Sequence, residues 1–96
     1  MQLGKVVGTV VSTKKDEKLE GLTMQIVRYV DDQCQPINQL VVAIDSVGAG
    51  TGELVLVATG SSARQTKVTD GKPVDGTIVA IVDTLEVGGK IRYTKE

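Results

Sequence analysis

The chain has no histidine, no tryptophan and no phenylalanine, and its 96 residues include one cysteine, two prolines and two tyrosines. Each shortage removes a class of chemistry. Without histidine there is no imidazole to act as a general base near neutral pH or to ligate a metal. With Cys34 as the single thiol, one chain assembles neither a disulfide nor a zinc or haem site of the usual kind. A nucleophilic cysteine wants a histidine or clustered cations to lower its pKa, so Cys34 reads as a plain loop thiol. Charge of neither sign dominates: 11 basic residues stand against 12 acidic ones and the pI is 5.4, which argues against a nucleic-acid footprint. No run approaches the roughly 18 apolar residues of a membrane-spanning helix. Met1 to Val11 is broken by Gln2, Lys5 and Thr9, unlike the apolar stretch of a signal peptide. These absences predict a soluble, cytoplasmic protein without cofactor, metal, membrane or nucleic-acid partner.

What is present is β-forming. The spacing predicts strands over Leu3 to Thr13, Leu22 to Val30, Leu40 to Val47, Glu53 to Thr59, Thr77 to Val87 and Lys90 to Thr94. Charged or turn-forming segments divide them: Lys14 to Lys18, Asp31-Asp32-Gln33 with Pro36, and Thr69 to Pro73. Gly88-Gly89 suits a tight hairpin turn with positive φ. Along Leu22 to Val30, Leu22, Met24, Ile26 and the stem of Arg28 share one side, and Thr23, Gln25, Val27 and Tyr29 the other. The helical candidate is a single turn, Ser61 to Gln65, with Ser61 as its cap. A single domain spanning 1–96, all-β, is expected: a small OB-like antiparallel β-barrel of five to six strands with one short helical turn.

Small aliphatic side chains must supply nearly all burial, and a domain this small buries only about two-thirds of its unfolded surface. Association offsets a thin core. The strands also carry apolar residues on both faces: Val6-Val7, Val10-Val11, Val41 to Ile44, Leu54 to Ala58 and Ile78 to Val82. A sheet with one wet face alternates instead. Neighbouring subunits are the natural cover for a one-layer barrel; a two-sheet sandwich buried on both faces is the alternative.

The segment Asp45-Ser46-Val47-Gly48-Ala49-Gly50-Thr51-Gly52-Glu53 concentrates glycine between two strands. A phosphate cradle would lead from strand into helix and continue Gly-Lys-Ser/Thr, so these glycines read as architectural. Asp45, Glu53, Asp75 and Asp83 are the carboxylates to weigh for acid–base or hard-metal work. They sit on different strands and loops, and the reading favoured is that they accept backbone N–H groups or pair with Arg28 and Arg64. Ser61 and Ser62 lack a base. The sequence presents no active site, and with two tyrosines and no basic groove it offers no stacking surface for single strands.

The order of Gly4 to Thr13, Leu19-Glu20-Gly21-Leu22, Asp45 to Glu53, Gly60-Ser61-Ser62-Ala63-Arg64, Pro73-Val74-Asp75 and Ile81-Val82-Asp83-Thr84 resembles the vertex proteins of bacterial microcompartments, the EutN/CcmL family. Members often carry an aromatic residue after the glutamate of the glycine block, where this chain has Leu54. The resemblance implies an OB-like barrel that forms a cyclic pentamer and caps the five-fold corners of a carboxysome or catabolic organelle, beside unrelated hexameric shell proteins. It implies subunit-interface or axial-pore roles for Asp45, Gly48, Ala49, Gly50, Gly52 and Glu53, and for Gly60, Ser61, Ser62 and Arg64. Asp75 and Asp83 would hold loops in place. The competing function is a small OB-type binding module for nucleic acid or another ligand.

Overall fold

A computed structural model describes residues 1–96. Seven strands and two short 3₁₀ turns run in the order β1 (Gln2–Val10), a turn at Glu17–Leu19, β2 (Met24–Val30), β3 (Pro36–Asp45), β4 (Leu54–Thr59), a turn at Gly60–Arg64, β5 (Gly76–Ile81), β6 (Thr84–Val87) and β7 (Lys90–Thr94). The first five strands close into a barrel in the order β1-β2-β3-β5-β4, and β6-β7 form a separate hairpin. The barrel is antiparallel except between β3 and β5, which run parallel through Ile44–Thr77 and Asp45–Ile78. That departure from an all-antiparallel barrel follows from the long connection between them, which carries β4 and the second 3₁₀ turn.

β1 is long enough to pair on both sides. Lys5 stands opposite Arg28 of β2 and Leu54 of β4, and a bulge between Val6 and Gly8 bends the strand to fit both neighbours. The alternation along β2 is as expected, with Gln25, Val27 and Tyr29 buried. The interior cluster consists of Val6, Val27, Tyr29, Ala43, Ala49, Val55, Val57 and Ile78, so a single tyrosine supplies the one large ring.

The boundaries depart from the sequence reading most at four places. β1 stops at Val10, and Asp16 caps the following 3₁₀ turn by accepting the Lys18 N–H at 2.8 Å. β3 starts at Pro36, opposite Val30, because a proline is tolerated as the first residue of a strand. The connecting turn tightens around Asp31, whose carboxylate accepts N–H groups of Gln33 and Gln35 at 2.8 and 3.0 Å. The expected single strand Thr77 to Val87 is broken at Val82-Asp83: Val82 N–H donates to Leu54 O at 2.8 Å, and the chain then leaves the barrel as β6. Gly88 and Gly89, at φ 61° and 80°, turn it back into β7. The second turn runs Gly60–Arg64 with Thr59 at its cap position, and Ser61 makes no capping bond.

Candidate assembly surface

The glycine-rich loop joins β3 to β4 and is stitched to the barrel wall. Asp45 Oδ1 accepts the Val47 and Gly48 N–H groups at 3.0 and 2.9 Å, fixing the turn out of β3. Ala49 then inserts into the core, and its carbonyl accepts Gln25 Nε2 at 2.9 Å. Gly50 N–H donates to Glu53 Oε1 at 2.6 Å. Gly52, at φ 91°, donates to Val6 O at 2.8 Å, while Val6 N–H donates to Glu53 O at 3.1 Å. The loop therefore continues the β1-β4 pairing one residue beyond Lys5, on the side of β1 away from β2. Gly48, Gly50, Thr51 and Gly52 remain exposed on its outer side.

A second cluster forms at the far end of β4. Gly60 N–H donates to Asp75 O at 2.9 Å, and Arg64 Nη1 to Val74 O at 3.0 Å. Ala63 is fully buried, and its carbonyl accepts the hydroxyls of Thr69 and Thr77, both at 2.6 Å. Ser61, Ser62 and Arg64 face solvent. Six residues of β4 hold this turn roughly 20 Å from the glycine-rich loop, so the two expected groups of contact residues are two places on the subunit.

The expected arginine–carboxylate pairs do not form within the subunit. Arg28 and Arg64 donate to backbone carbonyls, of Ile37 and Val74. Glu53 pairs instead with Lys95, at 3.0 Å. The Gly50 N–H and Lys95 hold the Glu53 carboxyl below the usual range, and Glu53 raises the Lys95 ammonium. Asp75 and Asp83 tie loops through their carbonyls, which accept Gly60 and Lys95 N–H groups, while their side chains are exposed. The acidic residues form no group of three suited to a metal ion.

Sequence reasoning missed Gln25, Thr69, Thr77 and Lys95. A glutamine at an inward position of β2 was the one available signal, since a buried amide must find partners. Leu54 is fully buried; its carbonyl takes the Val82 N–H and its N–H faces Tyr93 Oη at 3.5 Å.

The two-faced apolar strands are covered unequally. Leu54, Val55, Val57 and Ala58 of β4 are all buried inside the subunit. β4 is thus covered largely from within, because the second 3₁₀ turn packs on β4 and β5 and the hairpin base reaches Leu54, while Leu56 stays half-buried. Val7, Leu40 and Val42 are left 49%, 54% and 50% exposed. Tyr29 is in the core, where burial and the charge of Asp75 raise its phenol pKa, and Tyr93 lies under Lys5, 5.6 Å from ring centre to ammonium. Neither ring is a free stacking platform of the kind a single-strand binder needs.

A closed five-stranded barrel with loops stitched down by hydrogen bonds defines the class: a small OB-like β-barrel. Residues 1–83 match the family described as "Ethanolamine utilisation protein EutN/carboxysome", and the chain belongs to this EutN/CcmL family. It is 45% identical over 95 residues to the carboxysome shell vertex protein CcmL of Synechocystis sp. (strain ATCC 27184 / PCC 6803 / Kazusa), spanning 99% of this chain and 95% of the relative. Its fold superposes on a solved carboxysome subunit, CcmL, with a TM-score of 0.95 at 45% identity, covering 100% of both chains. The GrpN pentameric microcompartment shell protein from Rhodospirillum rubrum matches with a TM-score of 0.84 at 46% identity, over 91% of this chain and 99% of that one.

Proposed function

We propose that this chain is the vertex subunit of a bacterial microcompartment shell, five copies closing into a ring that caps a five-fold corner among hexameric shell proteins. The observation that carries the reading is the near-complete superposition on a pentameric shell protein at 46% identity. The exposed Val7, Leu40 and Val42 support it, since a ring gives such a wall a cover. The work is geometric: hexagonal tiles alone lie flat, and a five-fold piece supplies the curvature that closes a shell in the cytoplasm. A ring requires head-to-tail contacts, in which one face of the barrel fits a different face of its neighbour. In this reading exposed Gly48, Gly50 and Gly52 with Asp45 and Glu53, near one end of β4, and exposed Gly60, Ser61, Ser62 and Arg64, at the other, serve subunit contacts or the axial opening. Ala49 is consumed by its own core. The subunit's role is structural, not catalytic.

Native mass spectrometry of the purified chain tests the ring: a species of five 10.1 kDa chains is expected, and a monomer at cellular concentration overturns it. Co-expression with hexameric shell proteins tests the corner. Closed particles should need this chain, and equal closure without it would remove the vertex role.

A further inference from the structure

Two aspartates of the chain stand directly before a glycine, at Asp70-Gly71 and Asp75-Gly76. Such a pair carries a reaction of its own, because the aspartyl side-chain carbon and the next backbone nitrogen are spaced to close a five-membered imide. A Cβ on the following residue crowds that approach, and glycine has none. In a folded chain the reaction then needs three things: an amide N–H that bonds to nothing, an unengaged carboxyl, and a backbone loose enough to turn the two together.

The structure separates the two pairs. Asp70 and Gly71 are both exposed, in the loop between the second 3₁₀ turn and β5. The Gly71 N–H makes no hydrogen bond within the subunit, and the Asp70 carboxylate meets neither an N–H nor a cation. Gly71 stands at φ 69°, with nothing within 4 Å of where a Cβ would be. Gly76, by contrast, is buried at the start of β5 opposite Thr59. Val41 Cγ2 and Val42 O stand 3.3 and 3.4 Å from the place of its Cβ, and the carbonyl of Asp75 is held by the Gly60 N–H at 2.9 Å. Asp75-Gly76 has an exposed carboxylate but no freedom to bend its backbone around it.

We propose that Asp70-Gly71 is a site of spontaneous covalent modification in the folded subunit, where aspartate isomerises to isoaspartate, and that the sheet protects Asp75-Gly76 from the same fate. The Gly71 nitrogen attacks Cγ of Asp70 in its acid form; the N–Cγ bond forms, the C–OH bond breaks, and the hydroxyl leaves with the amide proton as water. Water then reopens the imide. Addition at Cγ restores aspartate, and addition at the backbone carbonyl leaves the chain running through the side chain, longer by one methylene. No oxidant or cofactor enters. The lengthened backbone falls beside Thr69, which is held by the bonds from Asp70 N–H to Thr66 O and from Lys72 N–H to Thr69 O, both 2.9 Å. Isomerisation therefore loosens the turn that aims the Thr69 hydroxyl at Ala63 O.

Incubation of the native chain at body temperature, followed by electron-transfer fragmentation to locate isoaspartate residue by residue, decides it. Isoaspartate should accumulate at residue 70, with residue 75 converting slower by at least about tenfold, or roughly 1.4 kcal/mol of barrier. Unfolded in urea, the chain should lose this discrimination and convert at both. Asp70→Asn should convert faster with loss of ammonia, and Asp70→Glu, which would need a larger ring, should not convert. A folded chain that leaves Asp70 intact, or that converts both sites alike, overturns the proposal. A preference for Asp70 that persists in urea would place the cause in the neighbouring residues and overturn the structural argument. The isomerised fraction, separated by ion exchange, should melt below the parent; equal melting would overturn the loosening of Thr69.

Discussion

Lys95 Nζ lies 3.0 Å from Glu53 Oε2, and the other oxygen of that carboxylate accepts the Gly50 N–H at 2.6 Å. One side chain thus holds both the turn of the glycine-rich loop and the end of the C-terminal hairpin, two segments that sequence distance separates widely.

That relationship gives a pH prediction. Glu53 has its pKa depressed in the fold, so its contribution is whole above the ordinary glutamate value and is lost as pH falls through the depressed one. Lys95 is raised, so its share is present below the ordinary lysine value and is lost only as pH rises through the raised one. Glu53→Gln should lower the melting temperature at neutral pH, and its difference from the parent should shrink as pH falls below about 4. Melts at fixed protein concentration across the acid range check this. A difference that stays constant in acid would show that the pair contributes nothing.

The two glycines of the loop should behave differently. Gly52 has φ 91°, where a Cβ costs roughly 1–2 kcal/mol, so Gly52→Ala should destabilise by about that amount. Gly50 is not left-handed, and an added Cβ would stand 3.4 Å from Glu53 Oε1. Gly50→Ala should be much milder, with ring mass unchanged. Equal losses in urea unfolding would contradict the loop geometry.

Thr69 and Thr77 are both fully buried and both donate to the Ala63 carbonyl. Replacing either with valine should cost about 1 kcal/mol. Replacing both should exceed the sum of the singles, because the carbonyl is then buried without either donor. Strict additivity in a double-mutant cycle would argue that water takes their place.

Gln25 accepts the Thr9 hydroxyl at 2.9 Å and donates to Ala49 O at 2.9 Å. Gln25→Leu should destabilise by about 1–3 kcal/mol, since the loop carbonyl loses its donor. Hydrogen exchange at Gly48 and Gly50 should speed up while the β4 amides stay protected. Unchanged exchange in the loop would mean that Asp45 and Glu53 hold it unaided.

Much of the fold was legible because its signals are local. The alternation of β2, the Gly88-Gly89 turn and the single helical turn after β4 each follow from side-chain period or allowed φ. The break at Val82-Asp83 was not legible: Thr77 to Val87 reads as one strand, yet Val82 is the last residue to bond to β4, at Leu54 O, a partner 28 residues away, and the chain beyond it pairs within the hairpin. The partner of Glu53 was hidden for the same reason. Arginine was the better chemical match, but the hairpin brings Lys95 to it.

The sequence by itself determined that this is a small all-β barrel, because two-residue periodicity and turn chemistry act within a few residues. Only the tertiary structure decided which apolar faces are covered from within and which remain bare. Leu54 and Val42 sit in equally apolar runs, yet one is fully buried and the other 50% exposed. The difference comes from what packs above each: Leu54 meets the base of the hairpin, while no other segment of the subunit covers Val42 to the same extent. Burial is a property of closing the barrel, and no local pattern encodes which side of a strand the rest of the chain will reach.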